Sequence, residues 1–306
     1  MAYPIYFTSL YRDYLWGGEL IAKTYKRETR TKKIAESWEI SDRDDGMSVV
    51  ANGKLQGKTL RELIQLMGED LLGKGRLRET FPLLIKILDA RESLSVQVHP
   101  NDETARLVGG EAKTEMWYVL QADPKAFVYA GLKEASSFAP QKIESMLEKI
   151  EIERGDAIYV PGGCVHAIGA GSLLFEVQQN SNTTYRIYDW ERLDKNGKPR
   201  GLHLEEAKTV MNDYVGKKEK PQKIADGHSK LVSSPYFQIE KLSIESHWEI
   251  ERRIDSFQIF FCLEGEGKIE IEGFSEKMHP GKTLFVPACF QSGAILGSCQ
   301  VIRVTL

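Results

Sequence analysis

Gly155-Asp156-Ala157-Ile158-Tyr159-Val160-Pro161 and Gly281-Lys282-Thr283-Leu284-Phe285-Val286-Pro287 follow one plan: a glycine turn, one short strand, and a proline that ends it. Proline has no N–H to give a sheet ladder, so it closes a strand rather than continuing it. Each stretch also follows a hairpin-like segment. The repeat predicts two copies of one β-unit in the chain. Around Lys217-Lys218-Glu219-Lys220-Pro221 the sequence is polar and charged, and a join near residues 215–232 divides it into a first domain, 1–225, and a second, 226–306.

Short strands dominate on both sides of that join. Leu83–Leu88, Leu94–Val98, Met116–Gln121, Phe127–Ala130, Ala157–Val160, Leu173–Gln178 and Thr184–Trp190 read as strands before it. Tyr236–Leu242, Phe257–Leu263, Lys268–Glu272, Leu284–Val286 and Gln300–Thr305 read as strands after it. Many short strands with Gly- and Pro-containing turns indicate a β-sandwich or barrel, and the strand–helix alternation of a doubly wound sheet is missing. Helices are few. Thr59-Leu60-Arg61-Glu62 is a capping box ahead of Leu63, Ile64, Met67 and Leu71, which predicts an amphipathic helix over 59–72. A second is expected after Pro140, with Ile143, Met146, Leu147 and Ile150 on one face. A third is expected over 204–214, burying Leu204, Ala207, Met211 and Tyr214.

The bulk chemistry is that of an ordinary globular protein. The 306 residues are 42% hydrophobic and 28% charged, which excludes disordered, collagenous and coiled-coil classes. With 41 basic and 44 acidic residues spread along the chain, the net charge of −3 points to neither nucleic acid nor an anionic membrane as partner. No secretory leader and no membrane span is legible. Cys164, Cys262, Cys289 and Cys299 form no Cys-x-x-Cys pair, and free thiols in a reducing cytoplasm are expected.

Four elements carry chemistry. Along Leu94-Ser95-Val96-Gln97-Val98-His99, alternation puts Leu94, Val96 and Val98 on one face and Ser95, Gln97 and His99 on the other. An aliphatic row backed by a polar row means a core on one side and a wet surface or pocket on the other. Lys113-Thr114-Glu115 opens the next apolar strand, and alone such a pair is usually an ordinary surface ion pair. Gly155-x5-Pro161-x-Gly163-x2-His166 places His166 just past a strand exit, at the mouth of a barrel. Two imidazoles, one carboxylate and the Gln97 amide oxygen suit zinc with an open coordination position, although nitrogen and oxygen donors also admit iron, manganese or nickel. His203, His228, His247 and His279 lack such spacing and read as solvated. In the fourth element, Glu176 to Arg186, a long hairpin is expected to bring those two residues together.

These residues, taken in order, resemble a family. The two-copy unit with Gly-x5-Pro-x-Gly-x2-His resembles a cupin. Ser95-Val96-Gln97-Val98-His99-Pro100, Lys113-Thr114-Glu115, Pro161-Gly162-Gly163-Cys164-Val165-His166, Tyr185-Arg186 and Pro199-Arg200-Gly201-Leu202-His203 resemble type I mannose-6-phosphate isomerases of the short bacterial form. Trp16-Gly17-Gly18 and Glu36-Ser37-Trp38-Glu39-Ile40-Ser41 fit as well. The likeness covers most of the first 210 residues. It implies an all-β chain of two cupin-type jelly rolls with a few added helices, the first domain catalytic. It further implies a cytoplasmic aldose–ketose isomerase acting on a sugar phosphate. One zinc per chain would be held by Gln97, His99, Glu115 and His166. Arg186, Lys113 and Glu176 would be catalytic, and Ser95, Lys86 and Arg186 substrate-binding. The second copy departs from the pattern: after Pro287, Cys289 replaces the glycine and Ser292 stands where the metal histidine would be, so a metal-free domain is expected.

Isomerisation moves a proton from C2 to C1 through an enediol, and a Lewis-acid metal and a cationic side chain both stabilise the developing oxyanion. Arginine keeps its proton, so the base is another group: Glu176, Lys113 or a metal-bound water. The rival readings are another metal-dependent cupin, such as an Fe(II) dioxygenase, and a non-catalytic sugar-binding regulator.

Overall fold

A computed structural model describes residues 2–29, 33–133, 142–194 and 196–306. Strands dominate it. The chain forms two compact units, one from Tyr11–Trp38 and Leu83–Glu219, the other from Met1–Leu10, Glu39–Pro82 and Lys220–Leu306. Residues 1–10 and 39–82, expected with the first domain, therefore cluster with the C-terminal strands. Long-range pairing explains this: Ile5 and Phe285 exchange backbone hydrogen bonds of 2.8 and 2.7 Å, and the Phe81 ring lies 4.8 Å from Phe257.

The first of these units contains a sandwich. One sheet runs Leu10–Arg12, Glu36–Ile40, Leu83–Ala90, Ser172–Gln179, Glu115–Ala122, Ala157–Val160; the other runs Tyr185–Tyr188, Val96–Val98, His166–Ile168, Phe127–Leu132, Leu147–Glu151. Leu88, Trp117, Val119 and Leu174 from one sheet and Val128, Ala130 and Ile168 from the other fill the space between them. Val96 and Val98 point to the opposite face of the second sheet, where Ala207 and Val210 of the helix Leu204–Val210 cover them. The polar row of that strand is thus turned into the sandwich, not out to solvent.

In the other unit the strands follow the order Gln222–Ala225, His228–Ser233, Gln238–Ile244, Gly293–Thr305, Gln258–Ile271, Phe274–Met278, with two short strands paired onto the long ones. Phe257–Leu263 and Lys268–Glu272, expected separately, form one strand, Gln258–Ile271, whose ladder to Gly293–Thr305 absorbs a register shift between Cys262 and Glu264. Phe260, Leu284, Val286, Phe290, Ile295 and Val301 form its core. The repeated turns match: Gly155 and Gly281 both take left-handed φ values, 97° and 81°, and donate 2.9 Å hydrogen bonds to Val119 and Cys262 respectively.

The helices are shorter than their periodicity predicts. The capping box is present, with Thr59 accepting from Glu62 N–H and Glu62 reaching back to Thr59. Gly68 then splits the expected helix into Leu60–Met67 and Glu69–Leu72. The start of the helix after Pro140 lies outside the described residues; Ile143–Met146 is one helical turn, after which Leu147–Glu151 becomes a strand paired with Phe127–Leu132. Sheet pairing captures Leu147 and Ile150 that helical spacing had claimed. The third helix stops at Val210, because Asn212 leaves it to donate its backbone N–H to Gly163 O at 2.8 Å. Among the described residues no helix is long and apolar enough to cross a membrane.

Candidate metal centre and active-site cavity

Along three neighbouring strands of the first sheet the inward side chains change from apolar to charged. Val119, Trp117 and Glu115 share one face, as do Leu174 and Glu176, and Leu88 and Lys86. Glu176 lies directly across from Lys86 on one side and Trp117 on the other. The facing sheet contributes a row across three strands, with Arg186 beside Gln97 and Gln97 beside His166. The two rows line a cavity of about 330 Å³.

At its floor His99, Glu115 and His166 are each buried to 1% exposure, and their ligand atoms all lie within 4.8 Å of one another. His99 Nε2 is 3.6 Å from Glu115 Oε2, and His166 Nε2 is 3.4 Å from Glu115 Oε1. His166 Nδ1 donates to Cys164 O at 2.9 Å, which leaves the Nε2 lone pair aimed at the cluster. Gln97 Nε2 stands 3.3 Å from His166 Nε2, and turning that amide over would present its oxygen instead. Ligands bonded at about 2.0–2.2 Å in a tetrahedron sit roughly 3.4 Å apart. The donor set therefore fits a divalent metal, in residue type and in spacing.

The loops that carry the two histidines are fastened to each other. Gly163 N–H donates to His99 O at 2.7 Å. A Cβ on Gly162 would stand 2.7 Å from Asn101 Cα and from Pro100 O, so the Pro-x-Gly spacing is set by backbone contact.

Burial sets the protonation of the floor. It drives His166 down to about 4 and, with the Lys113 and His166 charges, holds His99 well below the usual imidazole range. Burial also pushes Glu115 up to about 7, against the pull of Lys113, whose Nζ lies 2.7 Å from Glu115 Oε2 and 2.9 Å from His99 Nε2. Lys113 and Glu115 are thus an interior pair. Burial raises Glu176 too, but Lys86, Lys113 and the Trp117 N–H outweigh it and hold the carboxyl below its ordinary value. Lys86 lies 3.4 Å from Glu36 and 3.5 Å from Glu176, and those carboxylates keep it charged despite its burial.

One family model, described as phosphomannose isomerase type I, catalytic domain, matches residues 5–133, and another, mannose-6-phosphate isomerase, cupin domain, matches residues 228–306. A probable mannose-6-phosphate isomerase of Bacillus subtilis is 34% identical, with 98% of each chain covered. The mannose-6-phosphate isomerase of Streptococcus mutans is 35% identical over 99% of this chain and 98% of its own. The chain belongs to the type I phosphomannose isomerase family. A crystal structure of the Bacillus subtilis mannose 6-phosphate isomerase superposes with a TM-score of 0.89 at 32% identity, covering 99% of each chain. This phosphomannose isomerase family member is an all-β cupin protein.

Gln97, His99, Glu115 and His166 come together as a cluster, and Ser95, Lys86, Lys113, Glu176 and Arg186 all face the same cavity. The expected Glu176–Arg186 hairpin does not form, since Ser172–Gln179 and Tyr185–Tyr188 lie in different sheets. Arg186 instead donates from Nε to Ser95 Oγ at 3.3 Å and from Nη1 to Gly201 O at 3.0 Å. Glu36, Arg200 and His203 also line the cavity, although sequence reading assigned none of them a role there and took His203 as solvated. His228, likewise read as solvated, is half-buried 3.1 Å from Glu240. The Glu36-Ser37-Trp38 and Pro199-Arg200-Gly201-Leu202-His203 motifs were the available signal. The thiols are free, and burial pushes Cys164 and Cys262 up to about 12.

Proposed function

We propose that this chain interconverts mannose 6-phosphate and fructose 6-phosphate by proton transfer through an enediol, in the cavity above the His99–Glu115–His166 cluster. The convergence of those buried ligands with Gln97, beneath a cavity edged by Arg186, is the observation that supports it. His99, Glu115, His166 and Gln97 would hold a single divalent ion, zinc by the family resemblance, which would supply a Lewis acid towards the sugar oxygens.

The chain's own groups do the rest. Arg186 has no carboxylate within ion-pairing distance among the described residues, so its guanidinium is available to the negative charge that grows on oxygen as the C2 proton leaves. Glu176 takes that proton and returns it at C1. It is a cavity carboxylate outside the ligand set and is held below its ordinary value, whereas Lys113 is engaged as a donor to Glu115. Lys86 keeps Glu176 charged and in place. Ser95 hydrogen-bonds both Gln97 and Arg186, at 3.2 and 3.3 Å, and orients the first at the ligand cluster and the second toward the sugar.

A coupled assay with mannose 6-phosphate and with unphosphorylated mannose, before and after chelation, tests this reading. Turnover of the phosphate ester that disappears on chelation and returns with added zinc is expected. Undiminished turnover after exhaustive removal of metal would refute the metal-dependent reading. Oxygen consumption without isomerisation would favour a dioxygenase.

A further inference from the structure

Two residues of the cavity wall, Arg200 and His203, have no part in the isomerase reading. The cavity's basic side chains are Lys86, Lys113, Arg186 and Arg200. Both lysines are committed at the floor, Lys86 to Glu36 and Glu176 and Lys113 to Glu115. That leaves the two arginines, which lie together at the sheet's edge. Tyr185–Tyr188 is the edge strand, and Arg186 on it sits two strands from His166, so their backbones are roughly 10 Å apart.

Arg200 is aimed by a buried carboxylate. Asp189 is 6% exposed and accepts from Arg200 Nε at 2.7 Å and Nη2 at 2.5 Å, and from Arg192 Nη2 at 2.6 Å. This two-point pairing occupies one edge of the Arg200 guanidinium and leaves Nη1 without a hydrogen-bond partner among the described residues. The loop is tied down from the other side as well. Arg186 Nη1 donates to Gly201 O at 3.0 Å, and His203 N–H donates to Arg186 O at 2.8 Å. The Arg186 backbone N–H donates to His203 Nδ1 at 3.2 Å, so the ring's proton resides on Nε2, a further donor at the cavity wall. Arg192 and Arg200 thus share the one carboxylate Asp189, while Arg186 beside them has no carboxylate within ion-pairing distance among the described residues, which leaves a surplus of positive charge on this side of the cavity.

We propose that Arg200, held by Asp189 and flanked by His203, binds the phosphate of the substrate and gives the enzyme its preference for phosphorylated over free sugars. This rests on the sugar-phosphate isomerase reading above. A six-carbon substrate carries its reacting carbons at one end and its phosphate at the other. With C1 and C2 over the His–Glu cluster and within reach of Arg186, the phosphate at the far end of the substrate falls on the Arg200 and His203 side of the cavity. Arg200 is a phosphate-binding residue and Asp189 a positioning residue.

The test compares wild type, Arg200→Gln, Arg200→Lys and Asp189→Asn for mannose 6-phosphate, for unphosphorylated mannose, and for competitive inhibition by inorganic phosphate, with metal content and melting temperature measured on each. In Arg200→Gln, KM for mannose 6-phosphate should rise about 10–100-fold with kcat within a few-fold, and phosphate inhibition should weaken in proportion. Activity on mannose, which has no phosphate to lose, should fall far less than activity on mannose 6-phosphate. Arg200→Lys should recover part of the KM, and Asp189→Asn should reproduce the KM effect with kcat spared. Folded, metal-replete Arg200→Gln protein with unchanged KM and unchanged phosphate inhibition would overturn the proposal, as would an equal loss on both sugars. A wild type that isomerises neither sugar would instead refute the underlying isomerase reading.

Discussion

Truncating Arg186 to alanine removes a guanidinium that has no carboxylate partner within ion-pairing distance among the described residues, so little stability should go with it. Its hydrogen bonds to Ser95 and Gly201 are side chain–side chain and side chain–backbone contacts near the cavity surface. If it stabilises the developing oxyanion, Arg186→Ala should lower kcat by roughly 10²–10³, about 2.7–4 kcal/mol, with bound metal unchanged. Steady-state kinetics on metal-replete protein checks this, and a near-normal kcat would remove Arg186 from the chemistry. Glu176→Gln keeps the shape of the side chain and can still accept from Trp117, whose Nε1 lies 3.1 Å away. It should lower kcat by about 10²–10⁴ and slow exchange of the C2 proton with solvent deuterium to the same degree. Loss of turnover with exchange intact would assign the proton step elsewhere.

At the level of elements, the Pro161-Gly162-Gly163 turn is where sequence spacing becomes site geometry. A Cβ at Gly162 would meet backbone atoms of Pro100 and Asn101, so Gly162→Ala must push the His99 and His166 loops apart. A loss of about 1–3 kcal/mol in denaturant unfolding is expected, together with weaker metal retention. Unaltered metal affinity would show that the loops tolerate the shift. The strand endpoints around this turn were legible because proline and glycine act locally, and the row Ser95, Gln97, His99 was legible because alternation needs no partner. What that row faces was not, since a polar face reads alike whether it meets water or a second sheet. Leu147 and Ile150 satisfy helical spacing and a strand equally, and only the neighbouring strand Phe127–Leu132 decides. Glu176 and Arg186 are ten residues apart in sequence, yet their strands join different sheets. Arg200 escaped because its role depends on Asp189 and the loop that carries it, not on a spacing.

Across the whole chain, one unit fills the end of its sandwich with ligands and charge, and the other fills its interior with Phe260, Leu284, Phe290 and their neighbours. Residues 1–10 and 39–82 cluster with the latter through pairings that local pattern cannot reveal, such as Ile5 with Phe285. Among its interior charges is Arg303, 5% exposed, paired with Glu240, which also takes His228 at 3.1 Å. Burial raises the Glu240 carboxyl, but Arg303 and His228 outweigh it and hold it below its ordinary value. The pair's stabilisation is therefore complete above the unfolded carboxylate pKa and is lost as pH falls through the lower folded value. Glu240→Gln should lower stability at neutral pH, by about 3 kcal/mol if Arg303 is left without a counter-charge, and should flatten the acid limb of melting temperature against pH. An unchanged acid limb would show that other carboxylates govern it. Ser292, at the repeat position of the metal histidine, is exposed to solvent, and the His–Glu–His cluster of the first unit has no counterpart among the described residues of the second. The most direct test of the whole account is metal content measured beside mannose 6-phosphate turnover in wild type, His166→Ala and Ser292→Ala. One metal per chain with full activity is predicted for wild type and Ser292→Ala, and a parallel fall of both for His166→Ala. Equal metal loss in the two variants, or a His166→Ala enzyme that keeps its metal and its turnover, would contradict it.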